Sequence, residues 1–167
     1  MRLRLLLYAL VFICAPIAKC LSQTRGPAAL TGLKDIIVDY GIFLSPSLAG
    51  PDSVSLRTKL ELELRKAGLR ITPYSDRIDD ATIRSKPMLH FTLTATLAPL
   101  GVAYTTALYL DEPAKIERLA SHRFVVTWEA RQMVVWSSSD TWHAEVVKSL
   151  QEHLEEFLNA YFTANPP

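Results

Sequence analysis

Cysteine is scarce in this chain of 167 residues: Cys14 and Cys20 are its only two, and both fall within the first twenty positions. If that segment is removed on maturation, the remaining domain has no thiol. Thiol hydrolysis, disulfide exchange and zinc sites built on thiolates are then excluded, because each needs the sulfur as nucleophile or ligand. A domain of about 147 residues buries enough apolar surface to fold without disulfides.

Long apolar runs are missing as well. The longest starts at Leu5, is interrupted by Pro16 and ends at Lys19, short of the ~20 residues that cross a bilayer. No Gly-rich phosphate loop, dinucleotide fingerprint, His-Glu-x-x-His pattern or Gly-x-Ser-x-Gly elbow occurs, so no cofactor is implied. Lys and Arg number 18 against 17 Asp and Glu. Arg2, Arg4 and Lys19 lie in the first twenty residues, which hold no acid, so 15 basic groups remain against 17 acidic ones, a net of about −2. Such a domain, without a basic run, gives no electrostatic basis for binding nucleic acid.

What is present at the N-terminus, "MRLRLLLYALVFICAPIAKC", has two arginines, an apolar stretch from Leu5 to Ile13, then small and helix-breaking residues. This is the grammar of a secretory signal peptide, and it predicts export to the periplasm or the medium. Ala18 and Cys20 suit a cut after Cys20. Lipidation of Cys20 is disfavoured because Lys19 stands where a small residue belongs before an acylated cysteine. A retained signal anchor is the other route to the membrane. The expected organisation is a signal peptide over 1–20, a leader over 21–32, one globular domain over 33–163 and a short tail over 164–167.

Within the domain, "LKDIIVDYGIFLS" reads as a strand, and "SLRTKLELELRKAG" as a helix with Leu56, Leu60, Leu64 and Ala67 on one stripe. Asp52 or Ser53 is its expected N-cap and Gly68 its C-terminal stop. "LRITPY" is a short strand, and Ser75 to Pro87 a polar connection. In "LHFTLTATL", Leu89, Phe91, Leu93, Ala95 and Leu97 alternate with His90, Thr92, Thr94 and Thr96, the period of a half-buried strand. "APLG" predicts a turn and "VAYTTALYL" an antiparallel partner. "FVVTWEARQMVVWS" predicts two strands around a turn near Arg131. A final helix from about Asp140 to Phe162 is expected, capped by Ser139 or Asp140. The order β-α-β-β-β-β-β-α predicts an α+β two-layer sandwich. In it a mostly antiparallel sheet of five or six strands carries both helices on one face.

Candidate chemistry is thin. His153 with Glu156 is an i, i+3 pair able to share a metal only with outside ligands, and a solvated helix face explains it better. Ser137, Ser138, Ser139 and Asp140 precede a helix, where capping accounts for them without catalysis. Asp35 and Asp39 read as charges that deter edge aggregation. Trp128 reads as core, whereas Trp136 and Trp142 bracket the serine run and are candidates for a rim.

Four stretches resemble small bacterial envelope modules: "IIVDYGIFL", "LRTKLELELRKAGLRI", "MLHFTLTATL" and "LEEFLNAYFTANP". The modules are the lipopolysaccharide-assembly lipoprotein, the auxiliary lipoproteins of ABC transporters and the N-terminal domain of the Tol-system propeller protein. The resemblance implies a non-catalytic exported envelope protein, accessory to transport or assembly, that binds a protein partner or a lipidic or glycan ligand. It carries no functional residue across. The expected interaction surface comprises His90, Thr92, Thr94, Thr96, Trp136 and Trp142. Two other classes are kept open: a small secreted serine-type hydrolase using Ser139 and a histidine, and a small-ligand carrier, which would need a large apolar pocket.

Overall fold

The computed structural model describes residues 27–75, 77–116 and 121–166. The expected signal peptide, the Cys20 question and the first half of the leader lie outside them. The described chain forms an open mixed sheet of six strands with helices, the α+β architecture expected. After a 3-10 turn (Pro27–Leu30) come β1 (Asp35–Leu44), α1 (Ser53–Lys66), β2 (Arg70–Pro73), the short α2 (Asp80–Ile83) and β3 (Met88–Ala98). Then follow β4 (Gly101–Ile116), β5 (Ser121–Glu129), β6 (Met133–Ser137) and α3 (Trp142–Ala164). No helix among the described residues is long and apolar enough to cross a membrane.

The spatial order is β2-β1-β3-β4-β5, with β6 also paired to β4. β1 runs parallel to both its neighbours, and the other pairs are antiparallel. The chain does not reverse near Arg131. Instead β5 pairs with Tyr109 to Ile116 of β4, and β6 pairs with Val102 to Thr106 of the same strand. They are two segments of one edge, separated by a short break in which Ala130 N–H still donates to Leu108 O at 2.8 Å. "EARQ" therefore interrupts a strand without turning it.

Alternation along the strands builds the core. Leu89, Phe91, Leu93 and Ala95 of β3 and Val102, Tyr104, Leu108 and Leu110 of β4 are buried on one face, as period two requires. Leu56, Leu60 and Leu64 of α1 and Val146, Leu150, Leu154 and Phe157 of α3 cover that face and share one core with it. Trp128 joins them, its ring edge-on to Phe157 at 5.1 Å. Its alternate neighbours do not, because the register shifts between Leu110 and Asp111. A bulge swaps the faces of the residues before it, and Phe124 is left exposed.

The helix ends follow local rules with one exception. The Asp52 side chain accepts from Val54 N–H at 3.0 Å, the expected N-cap. At the other end Gly68 N–H donates to Arg65 O and Leu69 N–H to Leu64 O. Gly68 stands at φ 89°. This is a Schellman stop, for which glycine is suited because it lacks a Cβ. The exception is α3, whose N-cap is Thr141, not Ser139 or Asp140, and it makes no side-chain capping bond. Its C-terminal end holds the start of the described chain: Asn165 accepts from Gly32 N–H at 2.7 Å and donates to Leu30 O at 2.8 Å.

Gly101 closes the β3–β4 hairpin at φ 153°, and a Cβ there would collide with the carbonyl oxygen of Ser137 on β6. Gly101→Ala should destabilise the fold by about 1–3 kcal/mol, the usual cost of forced overpacking. Leu100→Ala, one residue away and exposed, should be near neutral. Denaturant titration of the two variants checks both.

Candidate functional site

The long helices α1 and α3 pack on one face of the sheet; on the other face Ile37 and Met88 are also buried. The strand registers arrange the other face in rows. Ile37, Met88, Asp111 and Val126 form the first row, and Asp39, His90, Tyr109 and Glu129 the second. Gly41, Thr92 and Ala107 follow, then Phe43, Thr94, Thr105 and Val134, then Thr96, Ala103 and Trp136. Successive rows lie about 7 Å apart, and the outer strands β1 and β6 stand about 14 Å apart across β3 and β4. The middle of the face is floored by small side chains. Phe43 and Trp136, 62% and 55% exposed, stand at its two sides. Phe43 folds back over Gly41: a Cβ on that glycine would lie 2.8 Å from the Phe43 ring. A side chain at Gly41 would have to displace the exposed Phe43 ring.

The second row carries the charged centre. His90 Nδ1 lies 3.1 Å from Asp39 Oδ2 and Nε2 lies 3.4 Å from Asp111 Oδ2. Tyr109 stacks on the imidazole at 4.9 Å between centroids, with planes 16° apart. The three side chains are largely withdrawn from solvent although they lie outside the core under α1 and α3: His90 and Asp111 are each 17% exposed and Asp39 31%. Asp111 Oδ1 is buried with no hydrogen-bond partner. Burial pushes the Asp111 carboxyl above the ordinary carboxylate range, and the charge of His90 opposes that shift.

A neutral imidazole has one N–H, so it cannot donate to two carboxylates at once. The two carboxylates approach opposite ring nitrogens and do not converge on a common point. Among the described residues no group of three or more His, Cys, Asp or Glu is placed to hold a metal ion.

Of the residues expected at an interaction surface, His90, Thr92, Thr94, Thr96 and Trp136 all lie on this face. Trp142 does not. It is 2% exposed, on the helix side, packed against Tyr104 and His143. Its helical position turns it inward, although its neighbours in sequence are exposed. Asp39 is not an edge charge, because β1 is interior to the sheet, and Asp35 is committed to an ion pair with Arg70. Asp111, and the placing of Tyr109 beside His90, escaped the sequence reading. A signal for them existed: continuing the hairpin register outward from "APLG" sets His90 opposite Tyr109 and Met88 opposite Asp111.

The other candidates separate. Ser137 and Ser138 pair with Thr141 Oγ1 at 3.0 and 2.8 Å, and Ser139 donates to Asp140 at 3.3 Å. His143 Nε2 donates to Ala49 O at 3.0 Å, so its ring nitrogen is not directed to a serine. His153 turns into the core, 1% exposed, with Nε2 3.0 Å from Thr106 Oγ1. Burial lowers its pKa below the ordinary histidine value. Glu156 instead accepts from Arg131 N–H at 3.2 Å, so His153 and Glu156 do not act as a pair. The space between helices and sheet, where a carrier would hold its cargo, is filled by Phe91, Leu93, Leu150 and Phe157.

No protein-family profile matches the chain, and no curated protein matches its sequence. Solved structures with a similar course of the chain include a point variant of the PelC dodecamer from Paraburkholderia phytofirmans. It is 16% identical over 77% of this chain and 90% of that one, with a TM-score of 0.46. A second crystal form of the PelC dodecamer is 13% identical over 78% and 87%, with a TM-score of 0.43. Lipoprotein GNA1162 from Neisseria meningitidis is 11% identical over 74% and 96%, with a TM-score of 0.35.

The raised pKa of Asp111 has a thermodynamic sign. The folded state disfavours the charged carboxylate, so the penalty is present at neutral pH and is relieved as pH falls through the raised value. Asp111→Asn should therefore raise the melting temperature at pH 7, and its advantage over the natural chain should shrink in acid. Thermal unfolding followed by circular dichroism from pH 7 to pH 4 checks this.

Proposed function

We propose that this protein is a non-catalytic, exported component of the cell envelope that binds a protein partner on the helix-free face of its sheet. The observation that carries this reading is the charged row of Asp39, His90 and Asp111 set in that face. A desolvated carboxylate without a full set of partners costs stability, and such costs cluster at functional sites. In this one the cluster sits beside a floor of threonines and alanines with aromatic side chains at its margins. Exposed aromatic side chains such as Phe43 and Trp136 belong to the class enriched in protein interfaces. The signal-peptide grammar of the first twenty residues supports the envelope address.

The reading makes no use of the serine run or of the buried His153, whose hydrogen bonds are internal. Binding is the activity left to a face whose polar groups are presented outward and whose charged groups grip one another.

A photoreactive amino acid placed at Thr94, in the middle of the face, should give one discrete higher-mass adduct in intact envelopes. The same probe at Lys148, on the outer side of α3, should give none. His90→Ala should reduce the Thr94 adduct several-fold. Equal labelling from both positions, or no adduct from Thr94, would overturn the proposal.

A further inference from the structure

Among the described residues the sheet has three unpaired edge segments, and they are defended unequally. β2 is four residues long and ends in Pro73, and its Arg70 is tied to Asp35. β5 carries Arg123 and Glu129 and is distorted by the bulge opposite Leu110 and Asp111. Short length, proline, charge and bulges are the ordinary devices against edge pairing. β6, "MVVWS", lacks proline and charge: from Gln132 to Ser139 the chain has neither.

The hydrogen-bond alternation identifies which groups β6 presents outward. Leu108 O faces this edge, where it accepts from Ala130 N–H. Every second residue of β4 does the same, so Thr106, Tyr104 and Val102 point their backbone groups at β6. Their register partners Met133, Val135 and Ser137 point back. The N–H and C=O of Val134 and Trp136 are left facing away from the sheet, and no described strand lies beyond them. These two residues also present the most exposed apolar side chains of the segment, at 79% and 55%, both on the helix-free face.

We infer that β6 pairs antiparallel with β6 of a second copy of this chain, about a two-fold axis at Val135. That register sets Val134 of each copy opposite Trp136 of the other. Each such pair exchanges two backbone hydrogen bonds and joins an aromatic to a β-branched side chain, a favourable cross-strand combination. The segment is uncharged, so two copies meet without like-charge repulsion. The outward backbone groups and the exposed side chains belong to the same two residues, and one symmetric register satisfies both. The sheets of the two copies then become continuous, and their helix-free faces lie side by side. This inference does not depend on the partner binding proposed above.

Sedimentation velocity across a range of concentrations should show the purified protein passing from the mass of one chain to that of two. Trp136→Lys should weaken the association roughly tenfold or more, as loss of a central aromatic anchor does, with its circular dichroism unchanged. Adding Val134→Glu to that variant should restore the dimer, because the introduced lysine of each copy then faces the introduced glutamate of the other only in this register. A protein that stays monomeric at all concentrations would overturn the inference. So would a Trp136→Lys variant that associates like the natural chain, or a double variant that is not rescued.

Discussion

The antiparallel pairing of β3 with β4, unbroken from Met88↔Asp111 to Ala98↔Gly101, is the constraint on which the rest of the molecule depends. It assigns every side chain of the two central strands to a face. Leucines, Phe91, Tyr104 and Thr106 go under the helices; His90, Thr92, Thr94, Thr96, Thr105, Tyr109 and Asp111 go to the other side. A slip of one residue would exchange the two sets and bury the charged row. The register is constrained at one end by the tight approach of Gly101 to Ser137. Core, open face and charged centre are consequences of one ladder.

The two faces are stabilised differently. The helix side is ordinary apolar burial, with the edge-on contact of Trp128 and Phe157 among its aromatic pairs. His153 enters that side against Thr106, and burial favours its neutral form. The open side holds groups that a stability-only design would omit: a carboxylate oxygen without a partner, a histidine between two acids, and an exposed phenylalanine over a glycine. Natural proteins break local rules mainly where function requires it. The contrast between the faces supports placing the function on the sheet side.

Much of this was legible in the sequence, for reasons that can be named. Period two in "LHFTLTATL" located the wet face, and the Leu56, Leu60, Leu64 stripe located the first helix. Asp52 and Gly68 marked its ends, because caps are set by local backbone chemistry. What escaped depends on distant parts of the chain. Asp39 reaches His90 only through the parallel register of β1 with β3, for which no local signal exists. The break at Ala130 to Gln132 resembles a turn in composition, and only the continuity of β4 beneath it keeps the strand straight. Trp142 reads as a rim residue from its polar neighbours, but the rotation of α3 carries it into the core. Thr141 takes the cap that Ser139 and Asp140 resemble equally well.

The central claim is that the helix-free sheet face is in contact with another molecule where the protein works. Hydroxyl-radical footprinting of the protein in intact envelopes, compared with the purified chain, tests it most directly. The account predicts protection of Phe43 and Tyr109 in the envelope, while Val54, Leu62 and Phe162 on the helices keep their reactivity. Unchanged oxidation of Phe43 and Tyr109, or protection confined to the helices, would contradict it.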